Sequence, residues 1–481
     1  MWAAGVASGT EAGMTRAAGD PERGSGPVAA ARPEAPSLTR RGLLGTAPAA
    51  ALALAACGGE PAAGGGGAAQ PPPVQIAFFF PNWGQPAIYE AKEQRKIDAF
   101  QQQTAGVRVR AAPVPENYGP QLTSLFAAGT PPETFFADHQ VVFAYTKQGF
   151  LDDLQPTAQK DRGFKKEDLH PTALDGLTVG GRLLGLTGWA FTNLYYYNAD
   201  LFKQAGLPTP YELWQQDRWT WDAYQDAALK LHKREGARTV QAGTTLGLAR
   251  LWMNAAGAQE FDNPKTPTRC LYDSEPAMEA LQFRYDLQAK HRVHDPDFYK
   301  ETGLNETTAF INGKSATMSR WTTGLADFKA ITAFTWGMAP YPKKKGYASD
   351  YTHWAYGRAK GLADERTRDA AWQWLKFFTG AEGQKLEAQD MVGIPFTRAA
   401  QEVFARSVRQ LPTLEHPEAM GEILNKYPNS RLIAVDTPEI GRILNEELTP
   451  FWNGERGARA AGTAATQRVN EYLRTNPQSV S

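Results

Sequence analysis

The stretch of sequence that decides the fold runs from residue 191 to residue 208 and reads F-T-N-L-Y-Y-Y-N-A-D-L-F-K-Q-A-G-L-P. Its first part, 191–197, is rich in aromatic side chains and predicts a strand. Asn198 is a residue type that begins helices and Gly206 one that ends them, so a short helix is predicted between the two. A strand that leads directly into a helix is typical of α/β proteins.

The same alternation extends toward the N-terminus. A short apolar run over 74–80 predicts a buried strand, and a helix that is entered through a proline follows at 86–103. Alternating apolar residues over 107–111 predict a second strand. Asn117 is predicted to cap the next helix, and residues 134–137 to form a third strand. Strands that alternate with helices predict a parallel sheet with helices on its faces.

Toward the C-terminus the pattern becomes mostly helical. The pair Gly180-Gly181 predicts a turn into an extended segment, and Thr220 is predicted to open an amphipathic helix that Gly236 closes. Residues 369–379 place Trp372 at helical spacing with other apolar residues, together with Trp374 beside it. These two tryptophans are predicted to lie in the core.

Length and charge narrow the classes of function. A chain of 481 residues is too long for one ordinary core, so two or more compact units are expected. Lys and Arg total 51, and so do Asp and Glu, which leaves no basic footprint for nucleic acid. Near-neutrality weakly favours a neutral or mildly charged ligand over a polyanion.

The N-terminus carries a predicted export signal. Arg40-Arg41 resembles the twin-arginine export signal and precedes an apolar stretch, 42–56, which is shorter than the roughly 20 residues that a membrane-spanning helix needs. The stretch ends in L-A-A-C at Cys57, similar to the lipobox of bacterial lipoproteins. Residues 1–56 are therefore predicted to be a signal peptide, and the Gly- and Pro-rich residues 57–73 a flexible tether. Whether Met1 or Met14 is the first residue stays open.

Cysteine usage fits an exported chain without disulfides. If Cys57 is lipidated, Cys270 stands alone and has no intramolecular partner. We expect Cys270 to be a small buried apolar residue. The core alone must then stabilise the fold, and about 400 residues are enough for that.

The sequence resembles family 1 extracellular solute-binding proteins, the group that includes maltose-binding proteins. The resemblance covers nearly all of the chain after the tether and rests on six short segments in the family's order. These are 127–133 (A-A-G-T-P-P-E), 149–154 (G-F-L-D-D-L), 196–208 (Y-Y-N-A-D-L-F-K-Q-A-G-L-P), 219–222 (W-T-W-D), 310–318 (F-I-N-G-K-S-A-T-M) and 336–342 (W-G-M-A-P-Y-P).

What the resemblance implies is a two-lobed periplasmic-binding-protein fold of the α/β class, with a ligand cleft between lobes joined by hinge crossings. The first lobe is expected over 74–186 plus 342–378, and the second over 187–341 plus 379–481. The implied function is reversible capture of a sugar or oligosaccharide by hinge closure and its delivery to the membrane permease of an ABC importer. The implied protein is a monomer on the extracytoplasmic face, anchored by lipid, without a cofactor, a metal or catalytic activity.

A sugar site needs aromatic plates for C–H faces and polar groups for hydroxyls. Strand ends supply candidates directly, because α/β sheets bind ligands beyond the carboxyl ends of their strands. Other candidates match positions that line the cleft or stack on sugar in the family. The predicted ligand-binding residues are Asn82, Trp83, Asp138, His139, Tyr145, Trp189, Trp321 and Trp354.

Less specific interpretations stand beside these. Any single tryptophan can be core packing, Asp138 can merely cap a helix and His139 can be structural. Gly313-Lys314-Ser315 suggests a phosphate loop, but Thr308 stands where that pattern requires glycine. His291, His294, Asp295 and Asp297 lack a defined metal-ligand spacing. A secreted glycoside hydrolase, which needs two opposed carboxylates, and a sensory binding protein of the same fold remain the alternatives.

Overall fold

The structure is a computed structural model that describes residues 72–82, 86–137, 141–264, 266–349, 351–427 and 437–476. The strands of the described part are β1 (Val74–Pro81), β2 (Val107–Val114), β3 (Thr134–Phe136), β4 (Thr178–Val179), β5 (Arg182–Leu183), β6 (Leu186–Phe191), β7 (Asn193–Asn198), β8 (Lys233–Glu235), β9 (Arg238–Gln241), β10 (Thr317–Trp321), β11 (Trp336–Ala339) and β12 (Thr352–Arg358).

Helices surround these strands. They are α1 (Pro86–Gln103), α2 (Tyr118–Ala127), α3 (Val142–Lys147), α4 (Gln155–Lys160), α5 (Ala199–Gln204), α6 (Pro210–Gln215), α7 (Trp221–Leu231), α8 (Ala249–Ala255), α9 (Glu275–Ala289), α10 (Pro296–Thr302), α11 (Glu306–Ile311), α12 (Glu365–Thr379), α13 (Ala381–Asp390), α14 (Arg398–Arg409), α15 (Ala419–Lys426), α16 (Thr437–Trp452) and α17 (Ala458–Thr475). None of the helices in the described part is both long and apolar enough to cross a membrane.

The first sheet has five strands in the order β2-β1-β3-β12-β6. β1 pairs in parallel with β2 and with β3, as the alternation of strands and helices predicts. β12 lies between β3 and β6 and runs antiparallel to both. All seven residues of β12 are buried, so both faces of the sheet are covered at this strand.

The second sheet has three antiparallel strands in the order β10-β7-β11. Its central strand β7 follows β6 after the single residue Thr192, so the chain passes from one sheet to the other there. The Asn198 side chain accepts a hydrogen bond from the Leu201 N–H at 3.1 Å and caps α5, as predicted. Gly206 takes a left-handed φ of 64° just after that helix.

Two predictions at helix ends are wrong, and the strand predicted over 191–197 is interrupted at Thr192, where β6 ends and β7 begins. Asn117 precedes α2 as expected, but it has a left-handed backbone and its side chain makes no capping hydrogen bond. The helix that Thr220 caps ends at Leu231 and not at Gly236. Gly236 instead turns the hairpin between β8 and β9, where its φ of 61° suits glycine.

Each sheet has its own apolar core. The core of the first sheet is drawn from 76–191 and 354–378, and that of the second sheet mostly from 194–351 and 388–473. The chain therefore crosses between the cores at Thr192, between Tyr351 and Trp354, and within 379–387. The first crossing lies about five residues beyond the expected boundary at 186/187 and the second about ten beyond that at 341/342, and the lobe assignment itself stays a prediction.

Buried residues of the C-terminal half follow the sequence patterns. Trp372 and Trp374 are buried in the first core, which confirms their predicted place. Cys270 is fully buried, also as predicted, and burial raises the pKa of its thiol to about 12. A thiol with such a pKa is not a nucleophile at neutral pH.

Candidate ligand-binding site

Strand ends of both sheets meet where the chain crosses between them. β6 ends at Phe191, β7 begins at Asn193, and Asn193 pairs with Trp321, the last residue of β10. Phe191 and Trp321 therefore come from different sheets and make an edge-to-face contact, with ring centroids 4.9 Å apart. The crossing at Thr192 is thus lined by aromatic side chains from each sheet.

An aromatic track continues from this contact into the first sheet. We define the track as Phe136, Trp354, Trp189, Phe191 and Trp321. Trp354 and Trp189 stack with centroids 4.8 Å apart and planes inclined by 10°, and Phe136 lies 4.4 Å from Trp354 on its other side. The edge-to-face pair of Phe191 and Trp321 extends the track to the second sheet.

Strand register explains why these residues meet. Trp354 of β12 lies opposite Trp189 of β6, and Thr352 lies opposite Phe191. Side chains two apart on a strand share a face, so the two tryptophans and Phe191 lie on one face of the sheet. The Trp354 indole N–H donates to the Tyr356 hydroxyl at 2.8 Å, which fixes the orientation of that ring.

Buried polar atoms near the track have no hydrogen-bond partner among the described residues. They are Asn82 Oδ1, Trp189 Nε1, Thr192 Oγ1 and Thr352 Oγ1. Leaving such a group unpaired costs about 1–3 kcal/mol. A ligand that carries several hydroxyls both donates and accepts, so it can supply the missing partner of any of these atoms that it reaches.

The Asn82 amide is oriented by its neighbour on α1. Its Nδ2 donates to Glu90 Oε1 at 2.6 Å, and Asn82 itself is 1% exposed at the end of β1. One N–H of the amide is therefore used within the protein, and the amide oxygen is left to accept from another group.

Charged groups border both ends of the track. At the second sheet the Arg250 guanidinium lies over the Trp321 ring, 5.3 Å from its centroid. Arg320, beside Trp321, donates to Asp327 at 2.7 Å. At the first sheet burial raises the pKa of the Tyr89 hydroxyl against the opposing effect of Lys92, and Asp327 raises it further.

Four of the eight predicted site residues lie in this region. Trp189, Trp321 and Trp354 are joined through the ring contacts of the track, and Asn82 lies at the end of β1 in the same sheet as Trp189 and Trp354; Trp189 is only 1% exposed. Tyr145 lies off the track in α3, where its ring packs against Phe135 and Phe150. Trp83, Asp138 and His139 lie outside the described residues.

Sequence reasoning missed Phe136, Phe191 and Thr192. The available signal was their place at strand ends, since Phe136 ends β3 and Phe191 ends β6. Tyr89 was also missed, because a tyrosine inside a helix carries no mark of proximity to another sheet.

The metal alternative finds no support in the described part of the chain, which holds no group of three or more His, Cys, Asp or Glu side chains close enough to bind an ion. Asp295 instead accepts from the Thr239 hydroxyl at 2.6 Å and from the Asp297 N–H at the start of α10.

Known proteins resemble this chain in sequence. Residues 83–385 match the family model of the bacterial extracellular solute-binding proteins. A mannitol-binding protein of Pseudomonas aeruginosa is 25% identical over 351 residues, which are 66% of this chain and 76% of that protein. The sn-glycerol-3-phosphate-binding periplasmic protein of Pectobacterium atrosepticum is 24% identical over 317 residues, 62% of this chain and 68% of its own length.

Solved structures share the fold. An ABC substrate-binding protein from Listeria monocytogenes in complex with cycloalternan superposes with a TM-score of 0.70 at 20% identity, over 84% of this chain and 99% of that one. Maltose-bound MalE3 of T. maritima gives a TM-score of 0.65 at 21% identity, over 83% and 100% of the two chains. The α/β architecture is therefore that of the periplasmic binding proteins, and the chain belongs to the bacterial extracellular solute-binding protein family.

Proposed function

We propose that the protein is the substrate-binding subunit of an ABC importer and that it captures a sugar, an oligosaccharide or a polyol in the region of the aromatic track. The carrying observation is the combination of stacked aromatic rings with four buried polar atoms that lack partners in the described part of the chain. Rings pack against the C–H faces of a sugar, and the polar atoms bond its hydroxyls.

The comparisons support a polyhydroxylated ligand. A sequence relative binds mannitol, and the solved structures that share the fold hold cycloalternan and maltose. Other sequence relatives bind sn-glycerol 3-phosphate, so a small phosphorylated polyol belongs in any ligand screen.

Capture is proposed to work by hinge closure. The chain crosses between the two cores three times, and the track includes side chains from both sheets. A ligand that contacts both sheets binds the closed form better and so shifts the population toward it. Micromolar affinity corresponds to about −8 kcal/mol, which is enough for capture and still permits release to the permease.

The test is thermal unfolding of the soluble chain from Gly58 against mannitol, maltose, longer oligosaccharides and sn-glycerol 3-phosphate. A ligand at 100 times its Kd stabilises the folded state by about 2.7 kcal/mol and raises Tm. A shift with one sugar or polyol, with that ligand recovered chemically unchanged, is the expected result. Turnover of the ligand would favour the hydrolase alternative, and no shift with any member of the panel would contradict a carbohydrate ligand.

Membership of an extracellular family places the protein outside the cytoplasm. We further propose that Arg40-Arg41 directs export by a twin-arginine route and that Cys57 carries a lipid anchor; both lie outside the described residues. Because β1 begins at Val74, residues 57–73 would connect the anchor to the binding domain. Cys57→Ser should move the protein from the membrane fraction to the soluble fraction of a bacterial host, and an unchanged membrane association would contradict the anchor.

A further inference from the structure

Four charged side chains are buried together between α1 and α13. Lys92 donates to Glu387 at 2.6 Å and lies 3.5 Å from Glu93. Lys96 contacts Glu387 as well and donates to Glu93 at 3.1 Å. Every one of these side chains is at most 3% exposed. We call Lys92, Glu93, Lys96 and Glu387 the ion cluster.

The ion cluster is electrically balanced. Burial alone would raise the pKa of Glu387, but the charges and hydrogen bonds of Lys92 and Lys96 hold it below its ordinary value. Burial would lower the pKa of Lys92, and Glu387 and Glu93 raise it above its ordinary value instead. Lys92 and Glu387 therefore stay charged at neutral pH.

Such a cluster is not explained by stability alone. Taking charges out of water costs several kcal/mol per ion, and apolar replacements of buried ion pairs are often neutral or stabilising. A structural need to join two helices would be met by leucine or methionine at lower cost. A role that depends on where the charges point is a better explanation of their presence.

The Lys92 side chain extends toward the aromatic track. Its ammonium group lies 5.5 Å from the ring centroid of Trp189 and 4.8 Å from that of Tyr89. Trp189 in turn stacks on Trp354 in the middle of the aromatic track. The carboxylate of Glu387 therefore fixes the ammonium that lies over the platform.

The segment that follows the helix of Glu387 also contacts Trp189. After α13 the chain runs to Ile394, which exchanges backbone hydrogen bonds with Ala190 at 2.7 and 2.8 Å. Gly393 lies so close to the Trp189 ring that a Cβ atom there would overlap it. Gln384 of the same helix accepts from the N–H groups of Phe396 and Thr397 at 2.8 and 2.9 Å.

From these contacts we infer that Lys92 and Glu387 are positioning residues for the ligand site: they hold Trp189 against Trp354 and so set the geometry of the aromatic track along which the ligand is proposed to bind. This inference rests on the proposed binding function, and it adds to it a pair of residues that need not touch the ligand.

A double-mutant cycle in the purified protein tests the inference. Glu387→Gln, Trp189→Phe and the double variant are compared for affinity toward maltose and mannitol, at a temperature where all of them are folded. Glu387→Gln is expected to weaken binding about tenfold, and the double variant to bind no more weakly than Trp189→Phe alone. Additive losses would overturn the inference, because they would mean that Glu387 acts independently of Trp189.

Circular dichroism tests the same inference in the protein without ligand. Two stacked indoles give an exciton couplet in far-ultraviolet circular dichroism, and Glu387→Gln should reduce it. An unchanged couplet beside lower stability would show that the ion cluster only joins helices. If the wild-type protein binds no member of the panel used in thermal unfolding, the proposed ligand class fails, and the couplet still decides this inference.

Two further variants keep the test sound. If Glu387→Gln does not fold, the double variant Lys92→Met/Glu387→Met is used instead. It leaves Lys96 paired with Glu93, so no buried charge lacks a partner and the variant should fold. It should still bind weakly and lose the couplet. A folded double variant with wild-type affinity and couplet would overturn the inference. The matched control is Glu382→Gln in the same helix, whose exposed pair with Lys385 lies off the track and whose loss should change neither readout.

Discussion

Trp321 is a residue whose exposure fits contact with a ligand. Among the tryptophans of the described part only Trp321 and Trp452 are more than marginally exposed, while the others are buried. Trp321 ends β10 at the crossing, with Phe191 against its edge and Arg250 over its face. A ring held in place in this way, with a remaining surface open to solvent, is prepared to stack on a sugar at little cost in side-chain entropy.

Trp321→Ala should therefore weaken ligand binding at least tenfold, which is about 1.4 kcal/mol, and leave the Tm of the ligand-free protein nearly unchanged. Calorimetric titration and thermal unfolding measure the two quantities. Trp452→Ala is the control, because Trp452 is also half-buried but packs against Arg284 and Phe451 in the helical region. That variant should lose stability and keep its affinity; a stability loss without an affinity loss in Trp321→Ala would place Trp321 in the core.

At the scale of elements, local signals in the sequence were sufficient where a boundary depends on local chemistry. The proline at the start of α1 and the asparagine that caps α5 act on their own turn of helix, and both helices lie where predicted. The prediction that Gly236 ends a helix was wrong because a left-handed glycine can end a helix or turn a hairpin equally well. The place of β12 between β3 and β6 was beyond local signals, since its partners lie far away in the chain. Trp189 and Trp354 could thus be chosen singly, but their stacking could not be predicted.

The crossing segment after α13 gives a prediction at this scale. Because a Cβ atom at Gly393 would overlap the Trp189 ring, Gly393→Ala must displace either the segment or the tryptophan. We expect a loss of stability of about 1–3 kcal/mol from the overpacking, together with weaker ligand binding. Denaturant unfolding and titration calorimetry provide the measurements.

Gly421→Ala in α15 is the matched control for that substitution. A Cβ atom at Gly421 meets nothing within 4 Å, and alanine favours a helix over glycine by about 0.5–1 kcal/mol. Gly421→Ala should thus be neutral or stabilising with unchanged affinity. Equal effects of the two substitutions would refute the packing argument at Gly393.

On the scale of the whole molecule, two groups respond to acid in opposite directions: His353, which is buried in the first sheet, and Glu306, which is partly buried at the start of α11. In the first sheet, burial and then the charge of His170 lower the pKa of His353 to about 3. Near the second sheet, burial raises the pKa of Glu306 to about 7, although Arg284 and Arg320 oppose it. His353 is neutral in the folded protein at neutral pH, and Glu306 takes up a proton near neutrality.

The signs of the two contributions follow from proton uptake. Below pH 6.5 an unfolded chain protonates the histidine while the folded protein does not, so the stability from His353 is lost as pH falls from about 6.5 toward 3, by about 2 kcal/mol at pH 5. Folded Glu306 binds its proton at higher pH than the unfolded chain does, so its contribution rises as pH falls from about 7 toward 4.3. The wild-type profile of stability against pH is partly the difference of these two trends.

Single variants separate the two trends, since the slope with pH is compared and not the absolute stability. His353→Gln removes the group that destabilises the folded protein in acid. Its free energy of unfolding should therefore fall less than that of the wild type, or rise, between pH 7 and pH 5. Glu306→Gln should make the free energy of unfolding fall more steeply than in the wild type over the same range. Urea unfolding of the wild type and of each variant at several pH values gives the slopes. Parallel profiles for all three proteins would mean that neither group titrates differently in the folded and unfolded states, and would contradict both pKa shifts.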